Sequence, residues 1–521
     1  MLTARPVSNL LILLVLFLSS LPSPAATLAV DREDPNCDDA TGAPFCRIQP
    51  AIDAALFGDT INIAAGTYLG AAGSSAVIIV PAGKSLTLRG AGADSLILRG
   101  SDQGRRGIIV QAGAALSISG FSVSGAALGL DSEHGAGVKN LGQLTLSSCI
   151  IDRNTSAGNG GGIYSESVLI IDNCTISNNA SLRTGAVSQN SGGGGIYASG
   201  RFELRNSVLY DNQAAFGGGG VMLDDIVAPA SATISNSRIL RNVAKLGGGI
   251  LSRVDLTLRH SSIFTNSASL DGGGPGGGVV IESAVSANIV NSLIYYNQAY
   301  TGGGGLFHGA AASVNIYSSS IINNTTLGGN GGGIYADKNA GVVTLGNSLI
   351  SGNRDRGVSA TDPESPDCSG TLQSLGYNLL ASSRNCRLTT AAGDLEDVDA
   401  RLKISSAGGG TAQLITVALG SDSPAIDRGN PNGCLDQQQI AIAADLAGNN
   451  RTLDGDLDGV ARCDIGAFEA VPGPAPVTPP APDPDPGAGP VNTAAASSGG
   501  GGALASWGLG LLWAWRRLLL R

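Results

Sequence analysis

The sequence predicts an all-β fold built as a parallel β-helix solenoid, and a repeated motif is the first reason. The pattern Ser/Cys-x-Ile/Leu-x-x-Asn occurs eight times, and seven copies follow a run of glycines that ends in an aliphatic residue. A fixed motif between inserts of variable length is typical of solenoids. The motif ends at Asn154, Asn179, Asn212, Asn242, Asn266, Asn297, Asn324 and Asn353.

The composition of each repeat is the second reason, because it favours strands over helices. Glycines stand where a helix would need strong helix formers, and β-branched runs such as 167–171 are bounded by turn residues. Units of about thirty residues without helices suit one coil of a parallel β-helix. Alternation then directs Ser207 and Leu209 inward. The motif asparagine is expected at the turn, because asparagine tolerates left-handed backbone and can hydrogen-bond from coil to coil.

The chain begins with a predicted signal peptide, residues 1–26. Arg5 precedes an apolar run over 10–18, and Ala25 or Ala26 offers a small-residue cleavage site. The run is shorter than the ~20 residues of a membrane-spanning helix, so a membrane anchor is the weaker interpretation. The mature protein is therefore expected to be exported.

Residues 27–59 are predicted to form an N-terminal cap with a short amphipathic helix across 48–56. The solenoid is predicted over 60–357, and it begins before the motif becomes regular near Cys149. The strand-like segments that precede the motif are 60–64, 77–80, 85–89, 95–98, 107–110 and 116–123.

The eight cysteines form four short-range candidate pairs. Cys149 and Cys174 occupy the same position of adjacent motifs, so stacked coils would bring their α-carbons within the roughly 4.4–6.8 Å of a disulfide. An even number of cysteines behind a secretion signal favours an oxidised framework, although many connectivities are possible. The other candidate pairs are Cys37 with Cys46, Cys368 with Cys386, and Cys434 with Cys463.

Charge and composition exclude several classes of partner. The formal net charge is −10, which provides no basic surface for nucleic acid or anionic lipid. Glycine accounts for 77 of 521 residues, well above its usual share, as expected of a turn-rich solenoid.

The start of the predicted solenoid resembles that of a known superfamily. The segment 51–68, with Ala51-Ile52-Asp53 at its start and Gly66-Thr67-Tyr68 at its end, is similar to the opening of right-handed parallel β-helix proteins of the pectin-lyase-like group. The resemblance covers residues 30–360 and implies the right-handed form of the fold. Many members act on polysaccharides, whereas others are adhesins or surface proteins, so no particular activity is implied.

After the repeats, residues 358–470 resemble the C-terminal part of the choice-of-anchor Q family of β-helix proteins. The resemblance rests on the segments 375–380, 422–427 and 463–469. It implies final coils and a disulfide-held C-terminal cap ahead of a surface-attachment signal. Residues 471–498, rich in proline and glycine, are predicted to be an extended linker.

The segment 499–521 resembles the GlyGly-CTERM sorting signal of Gram-negative bacteria. The resemblance implies cleavage by a rhombosortase-type intramembrane protease and delivery to the cell surface or medium, with membrane contact only through transient signal segments. A plain membrane helix is the alternative, but the apolar stretch is shorter than the ~20 residues needed to span a bilayer. The residues that carry the resemblance are Gly499, Gly500, Gly501, Gly502, Arg516 and Arg517.

No catalytic residues are predicted. Polysaccharide cleavage on this fold needs paired carboxylates, or calcium ligands with an Arg or Lys base, and neither set is evident. The loop 131–139 brings acids, His134 and Lys139 together, but a single charged loop is better interpreted as a solvated turn. Asp224 and Asp225 are adjacent and are interpreted as loop charges, since neighbours on a strand point to opposite faces.

One row of side chains suggests a ligand-binding surface. Stacked coils would align an apolar residue from five successive motifs, and an exposed stripe of this kind would suit sugar rings or a partner. The candidate ligand-binding residues are Tyr210, Phe264 and Tyr295, in a row with Leu240 and Ile322. The alternative is that inserts cover the stripe or that the strand turns it inward.

Asp454, Asp456 and Asp458 alternate along the chain before Gly459, as at the opening of a calcium loop. The position of the bidentate EF-hand glutamate is held by Ile465, so the match is incomplete. Structural calcium and a solvated acidic turn are both open, and no other cofactor is expected.

The sequence thus predicts a secreted or cell-surface β-helix protein without catalytic activity, which presents a surface to carbohydrate, cells or matrix. The alternative is a pectate-lyase-like polysaccharide lyase acting on polyuronates, which the fold resemblance and the surface destination support.

Overall fold

The computed structural model describes residues 25–101, 104–182, 191–226, 230–283, 286–309, 311, 313–356, 366–407 and 414–472. They confirm the parallel β-helix, because successive coils pair strand on strand in parallel register. Each regular coil contributes three strands and a short fourth strand. In the order of the chain within one coil, we call the resulting sheets face one, face two, face three and the corner ladder.

Face one consists of the strands that follow the glycine runs and of their equivalents in the first coils. It contains Ala76–Val80, Arg106–Val110, Val138–Asn140, Ile163–Ser165, Ile196–Ala198, Val221–Leu223, Ile250–Ser252, Val279–Ile281, Leu306–His308 and Ile334–Ala336.

Face two runs from the N-terminal end of the solenoid to its last coil. It contains Thr27–Val30, Thr60–Ile63, Ser85–Gly90, Ala115–Ser124, Gln143–Asp152, Leu169–Asp172, Phe202–Arg205, Ser231–Ser235, Asp255–Arg259, Ala287–Val290, Val314–Tyr317, Val343–Gly346, Cys368–Ser374 and Cys386–Thr389.

Face three carries the repeated motif, and two of the long face-two strands, Ala115–Ser124 and Gln143–Asp152, continue into it. Its other strands are Gly66–Leu69, Leu96–Arg99, Thr175–Ser177, Val208–Tyr210, Arg238–Leu240, Ser262–Phe264, Leu293–Tyr295, Ser320–Ile322, Leu349–Ser351, Leu379–Leu380 and Leu395–Glu396.

The corner ladder follows the motif asparagines and is a sheet of nine two-residue strands. It contains Ala127–Leu128, Thr155–Ser156, Ala180–Ser181, Gln213–Ala214, Val243–Ala244, Ser267–Ala268, Gln298–Ala299, Thr325–Thr326 and Arg354–Asp355. Outside these sheets, the described elements are the helix Ile48–Ala54, the 3-10 helix Leu270–Gly272 and the antiparallel pair Leu402–Ala407 and Leu414–Leu419.

Side chains that alternate along each strand fill the interior of the solenoid. Ile163 of face one, Leu169 of face two and Ile176 of face three are all fully buried in one coil, and the neighbouring coils repeat this arrangement. Ser207 and Leu209 point inward, as predicted. A continuous apolar core of this kind is what holds stacked coils together.

The motif asparagines form the predicted ladder. The backbone N–H and the Nδ2 of Asn154 both donate to Oδ1 of Asn179 at 3.0 Å, and the same pair of bonds recurs at each motif up to Asn353. Asp367 ends the ladder by accepting both bonds from Asn353, and burial raises the pKa of this carboxyl to about 6. The ladder satisfies polar groups that would otherwise be buried without partners.

The left-handed backbone conformation lies one residue earlier than predicted. φ is positive at the residue before the ladder asparagine, for example 54° at Asp211 and 51° at Arg241. The ladder asparagine uses both its backbone N–H and its side chain along the axis of the solenoid, so the preceding residue makes the sharp turn. Asn154 and the other ladder residues are therefore selected for their hydrogen bonds and not for their backbone freedom.

The first motif position forms a second ladder. Oγ of Ser207 accepts the N–H of Cys174 at 3.1 Å, and Oγ of Ser237 accepts the N–H of Ser207 at 3.2 Å. Cys149 and Cys174 belong to this row, with Cα atoms 4.6 Å apart, and form the predicted disulfide. The other three predicted disulfides are formed as well, namely Cys37–Cys46, Cys368–Cys386 and Cys434–Cys463. Four disulfides indicate an extracellular, oxidising environment.

The N-terminal segment combines a cap with the first strand of the solenoid. Thr27–Val30 pairs in parallel with Thr60–Ile63, so face two begins inside the segment predicted as a cap. The helix Ile48–Ala54 buries Ile48 and Ile52 in the core cluster, which covers the open end of the interior.

The C-terminal segment, residues 400–472, does not continue the stack. The coils end at Leu395–Glu396, which pairs with the preceding face-three strand. The C-terminal segment then packs along the outer side of face three, where Ile426, Ile465 and Phe468 enter one apolar cluster with face-three residues. The predicted cap is thus a lateral cover.

Candidate binding surfaces

The stripe predicted to bind ligand exists, but the C-terminal segment covers most of it. The stripe residues of neighbouring coils are in register, from Tyr210 to Ile322. Phe264 is 3% exposed and Tyr295 is 9% exposed, and both pack in the cluster formed with the C-terminal segment. This corrects the assignment of Phe264 and Tyr295, because a sugar ring cannot reach them. Tyr210 is half-buried at the margin, with the guanidinium of Arg241 5.4 Å from its ring.

Polar contacts also fix the C-terminal segment to the coils. Arg259 forms an ion pair with Asp436 at 2.8 Å. Nδ2 of Asn347 donates to the carbonyl of Asp464 at 2.9 Å, and the N–H of Ala467 donates to Oγ of Ser320 at 2.9 Å. These bonds join residues far apart in the sequence, so none of them follows from the repeat.

A buried guanidinium lies at the centre of this interface. The side chain of Arg451 is 2% exposed, pairs with Glu469 at 3.3 Å and donates to Oδ1 of Asn291 on the coils. Burial raises the pKa of Glu469 to about 8 and that of Asp464 to about 7, and each carboxyl also has polar partners. The arginine therefore connects the C-terminal segment to the turns between faces two and three.

The outward side of face one carries a second apolar row, which the sequence analysis missed. Most of its side chains are buried beneath neighbouring chain segments, and Tyr197 is completely buried. The signal was present, because each member follows the aliphatic residue that ends a glycine run. In order along the axis the row contains Tyr164, Tyr197, Met222, Leu251, Val280, Phe307 and Tyr335.

Asp224 follows the face-one strand Val221–Leu223 and contacts this row, and it is not the loop charge that the sequence suggested. It is 1% exposed, accepts a hydrogen bond of 2.6 Å from the hydroxyl of Tyr197, and pairs with Arg253 at 3.4 Å. Burial and this hydrogen bond raise the pKa of Tyr197. Asp225 is exposed, as predicted.

The loop 131–139 is a structural turn. Nδ1 of His134 accepts the N–H of Asn159 at 2.9 Å, and its ring stacks on Tyr164 with centroids 4.7 Å apart. Lys139 lies in the face-one strand Val138–Asn140. This agrees with the interpretation of the loop as a turn between coils.

The outer row of face one ends in a cleft of about 610 Å³, which we call the terminal cleft. Tyr335 is the last aromatic ring of the row and stacks on Phe307 with centroids 5.3 Å apart. The next residue in register is Ser369, whose small side chain leaves Tyr335 half-exposed. Lys338 and Arg387 line the same cleft.

Glycines shape this cleft. A Cβ on Gly302 would approach the ring of Tyr335 to 3.1 Å, and a Cβ on Gly370 would lie 2.5 Å from the carbonyl oxygen of Ala336. Gly370 also has φ of +110°, which other residues rarely adopt. The backbone on both sides of Tyr335 can therefore approach closely.

The charge of the terminal cleft is predominantly positive. Asp337 is the one carboxylate among its lining residues, and it accepts the N–H of Asn339 at 2.9 Å. Lys338 and Arg387 form no ion pair with the residues that the structure describes. An aromatic face beside donors and cations suits the apolar face and the hydroxyl groups of a sugar.

The acidic loop brings together a different set of carboxylates from the predicted one. Ligand oxygens of Asp427, Asp454 and Asp456 lie within 4.8 Å of one another. Asp458 is outside this group, because its N–H donates to Asp454 and Asp456 while its own carboxylate accepts the N–H of Val460. Asp427 comes from a distant part of the sequence, so the spacing rule could not include it.

Residues 1–24 of the predicted signal peptide, and all residues after 472, lie outside the described part of the chain. The predictions for Gly499 to Gly502, Arg516 and Arg517 belong there. No helix in the described part of the chain is long and apolar enough to cross a membrane.

A match to one protein family supports the fold. Residues 106–294 match a family described as "Right handed beta helix region", so the solenoid is right-handed. The chain has 10% identity to a XylC solved in complex with xylose, covering 86% of this chain and 98% of that one, with a TM-score of 0.43. It has 12% identity to the pectate lyase Pel9A, covering 87% and 98%, with a TM-score of 0.37. No curated protein matches the sequence.

Proposed function

We propose that this protein is an exported, non-catalytic β-helix protein that binds carbohydrate at the terminal cleft. The observation that supports this proposal most directly is the half-exposed ring of Tyr335, which lines a cleft together with Lys338 and Arg387. A sugar ring would stack on Tyr335, and Lys338 and Arg387 would donate to its oxygens. The disulfides are consistent with this role outside the cytoplasm.

Binding is tested on the folded protein with soluble polysaccharides, including xylan and polygalacturonate, by affinity electrophoresis and calorimetry. Tyr335→Ala is expected to weaken binding by about 1–2 kcal/mol, roughly tenfold. Because Tyr335 also packs on Phe307, the exposed Arg387→Gln provides a second variant with a smaller expected loss. Phe57→Ala, at a ring that is 76% exposed near the N-terminal end, is the matched control.

Two results would contradict the proposal. One is that the folded protein binds none of the polysaccharides tested. The other is that the Tyr335 and Arg387 variants bind as well as the unchanged protein while melting at the same temperature.

A pectate-lyase-like activity is the second candidate. The observation in its favour is that basic Lys338 and Arg387 line the same cleft as Asp337. A lyase would need further oxygen ligands for calcium, which usually takes six to eight, and Asp337 supplies one carboxylate. A calcium-dependent rise in ultraviolet absorbance on polygalacturonate, abolished by Asp337→Asn, would replace the binding proposal with catalysis.

The route to the surface is also proposed from the sequence. We propose that residues 499–521 direct processing by a rhombosortase-type protease, in keeping with a choice-of-anchor Q ending. Mass spectrometry of the exported protein should find its C-terminus within the glycine run, and alanines at Gly499 to Gly502 should abolish this cleavage. An intact C-terminus at Arg521 would identify a retained hydrophobic segment instead.

A further inference from the structure

A second cleft, of about 310 Å³, lies at the corner between face three and the corner ladder. We call it the flank cleft. It is built from equivalent positions of three successive coils, because Gln298, Thr325 and Arg354 are partners in register along the corner ladder. Tyr296 and Arg356 complete its outline.

The last coil introduces positive charge at the corner-ladder position of Gln298 and Thr325. The corner-ladder position that Arg354 occupies holds neutral residues in every earlier coil, from Ala127 and Thr155 to Gln298 and Thr325. Arg354 opens the strand Arg354–Asp355, and Arg356 follows it directly and still bonds to the neighbouring coil through its N–H. Residues two apart in extended chain project to the same side, so both side chains leave the same side of the ladder. Both are exposed, and neither pairs with a carboxylate of the residues that the structure describes.

The backbone beneath these arginines is fixed. The N–H of Arg354 donates to the carbonyl of Asn324 at 2.8 Å, and that of Arg356 donates to Thr326 at 2.9 Å. A Cβ on Gly332 would lie 2.3 Å from the carbonyl oxygen of Arg354, so only glycine allows this approach. The two guanidinium groups therefore start from a rigid base, which lowers the entropy lost on binding.

The opposite end of the flank cleft is aromatic. Tyr296 is 60% exposed and lies two coils before Arg354, so the backbones of the two residues are about 10 Å apart along the axis at ~4.8 Å per coil. Between them, Asn323 and Thr325 line the cleft. Gly352, in register with Tyr296 and Asn323 at the same corner, contributes no side chain and leaves the third coil open; a Cβ there would meet Oδ1 of Asn323 at 2.4 Å.

We infer that the flank cleft is a second binding site, separate from the terminal cleft, for a saccharide that carries an anionic group. One sugar ring stacks on Tyr296, and the carboxylate or sulfate of a neighbouring sugar accepts hydrogen bonds from Arg354 and Arg356. Guanidinium groups suit planar and tetrahedral oxyanions because they donate two parallel bonds. Asn323 and Thr325 provide hydrogen bonds to hydroxyl groups between the two ends.

The test measures binding of an oligoglucuronate, a sulfated oligosaccharide, inorganic sulfate and a neutral oligomer of glucose by calorimetry at low salt. The acidic oligosaccharides are expected to bind, and the double variant Arg354→Gln/Arg356→Gln is expected to weaken their binding at least tenfold. Tyr296→Ala should weaken the binding of the oligosaccharides but not the binding of inorganic sulfate. The affinities of the oligoglucuronate and of the sulfated oligosaccharide are then compared, and the tighter of the two shows whether carboxylate or sulfate is preferred.

Arg153→Gln is the matched control, since Arg153 is an exposed arginine that precedes a ladder asparagine near the start of the same flank. An unchanged affinity of the double variant, or no binding of either acidic oligosaccharide, would overturn the inference. The terminal cleft is monitored separately through Tyr335→Ala. If Tyr335→Ala leaves polysaccharide binding unchanged while the double variant weakens binding of the acidic oligosaccharides, the proposed function alone is rejected. If Tyr335→Ala weakens binding while the double variant has no effect, this inference alone is rejected.

Discussion

The regular coils and the C-terminal segment are held together in opposite ways. Between Asn154 and Asn353 every coil repeats the same asparagine bonds, the same inward aliphatic residues and the same parallel register. In the C-terminal segment each contact occurs once, as with Arg451 and Glu469 or Arg259 and Asp436. Repetition distributes stability over many similar contacts, whereas the C-terminal segment depends on a few buried charged groups.

This difference matters for function, because the two regions also determine which surfaces stay open. The C-terminal segment buries Phe264 and Tyr295 on face three, while face one ends in the terminal cleft at Tyr335. An aromatic residue on a solenoid is therefore a binding candidate only where no later part of the chain returns to cover it.

Substitution of Arg451 should have the largest effect and should destabilise the C-terminal segment more than the coils. Arg451→Met removes one partner of a buried ion pair and the hydrogen bonds that Arg451 donates to Glu469 and Asn291, at an expected cost of about 3–5 kcal/mol. The C-terminal segment should detach first, which limited proteolysis would detect as early cleavage within 400–472. Arg241→Met, at the exposed bidentate pair with Asp211, is the control and should cost less than ~1 kcal/mol. Equal effects of the two variants would contradict a special role for Arg451.

An interruption of the asparagine ladder should cost less. Asn242→Ala removes the acceptor that the buried N–H and Nδ2 of Asn212 share. A fully unsatisfied donor costs about 1–3 kcal/mol, and the loss at Nδ2 is smaller because it keeps its bond to the carbonyl of Ile176. The expected total of about 2–4 kcal/mol should lower the midpoint of chemical unfolding. Gln213→Ala, at the exposed neighbour of the ladder, should leave it unchanged. A similar loss of stability in Asn179→Ala would support equal contributions from the ladder asparagines. Clearly different losses would contradict an even distribution of stability along the coils.

Calcium provides a test of the C-terminal segment alone. If Asp427, Asp454 and Asp456 bind the ion, a few millimolar calcium should stabilise this segment by about 1–3 kcal/mol, as expected of weak extracellular sites. Asp456→Asn should abolish the effect, whereas Asp458→Asn should largely preserve it. Unchanged melting with calcium and with chelator would identify the loop as a solvated acidic turn.

The pH dependence should be the smallest effect. Burial raises the pKa of Asp464 to about 7 and that of Glu469 to about 8, so between about pH 4 and pH 8 the folded protein holds more protons than the unfolded chain. The stability of the C-terminal segment should therefore fall as the pH rises through this range, by a few degrees in melting temperature. Glu469→Gln should flatten the profile. A melting temperature that rises from pH 5 to pH 8 would contradict this direction.

Parts of the candidate sites were within reach of the sequence, and others were not. The alignment of Tyr210, Phe264 and Tyr295 followed from the repeat, yet their burial did not, because it depends on residues more than a hundred positions away. The outer row of face one could have been found, since Tyr164, Tyr197 and Tyr335 each follow a glycine run. Asp427 joins the acidic loop through the fold and has no sequence signal of its own.

The repeat in the sequence was enough to predict the parallel β-helix, the positions of the ladder asparagines and the Cys149–Cys174 disulfide. These depend on contacts between equivalent positions of neighbouring coils, and a repeat places such positions in register wherever it occurs. Three features became visible in the folded protein alone: the C-terminal segment covers face three, Arg451 is buried there, and the two clefts remain open. Those features depend on where a non-repeating segment packs. The free energy of that packing is a sum of contacts that each occur once, so no periodic pattern in the sequence predicts it.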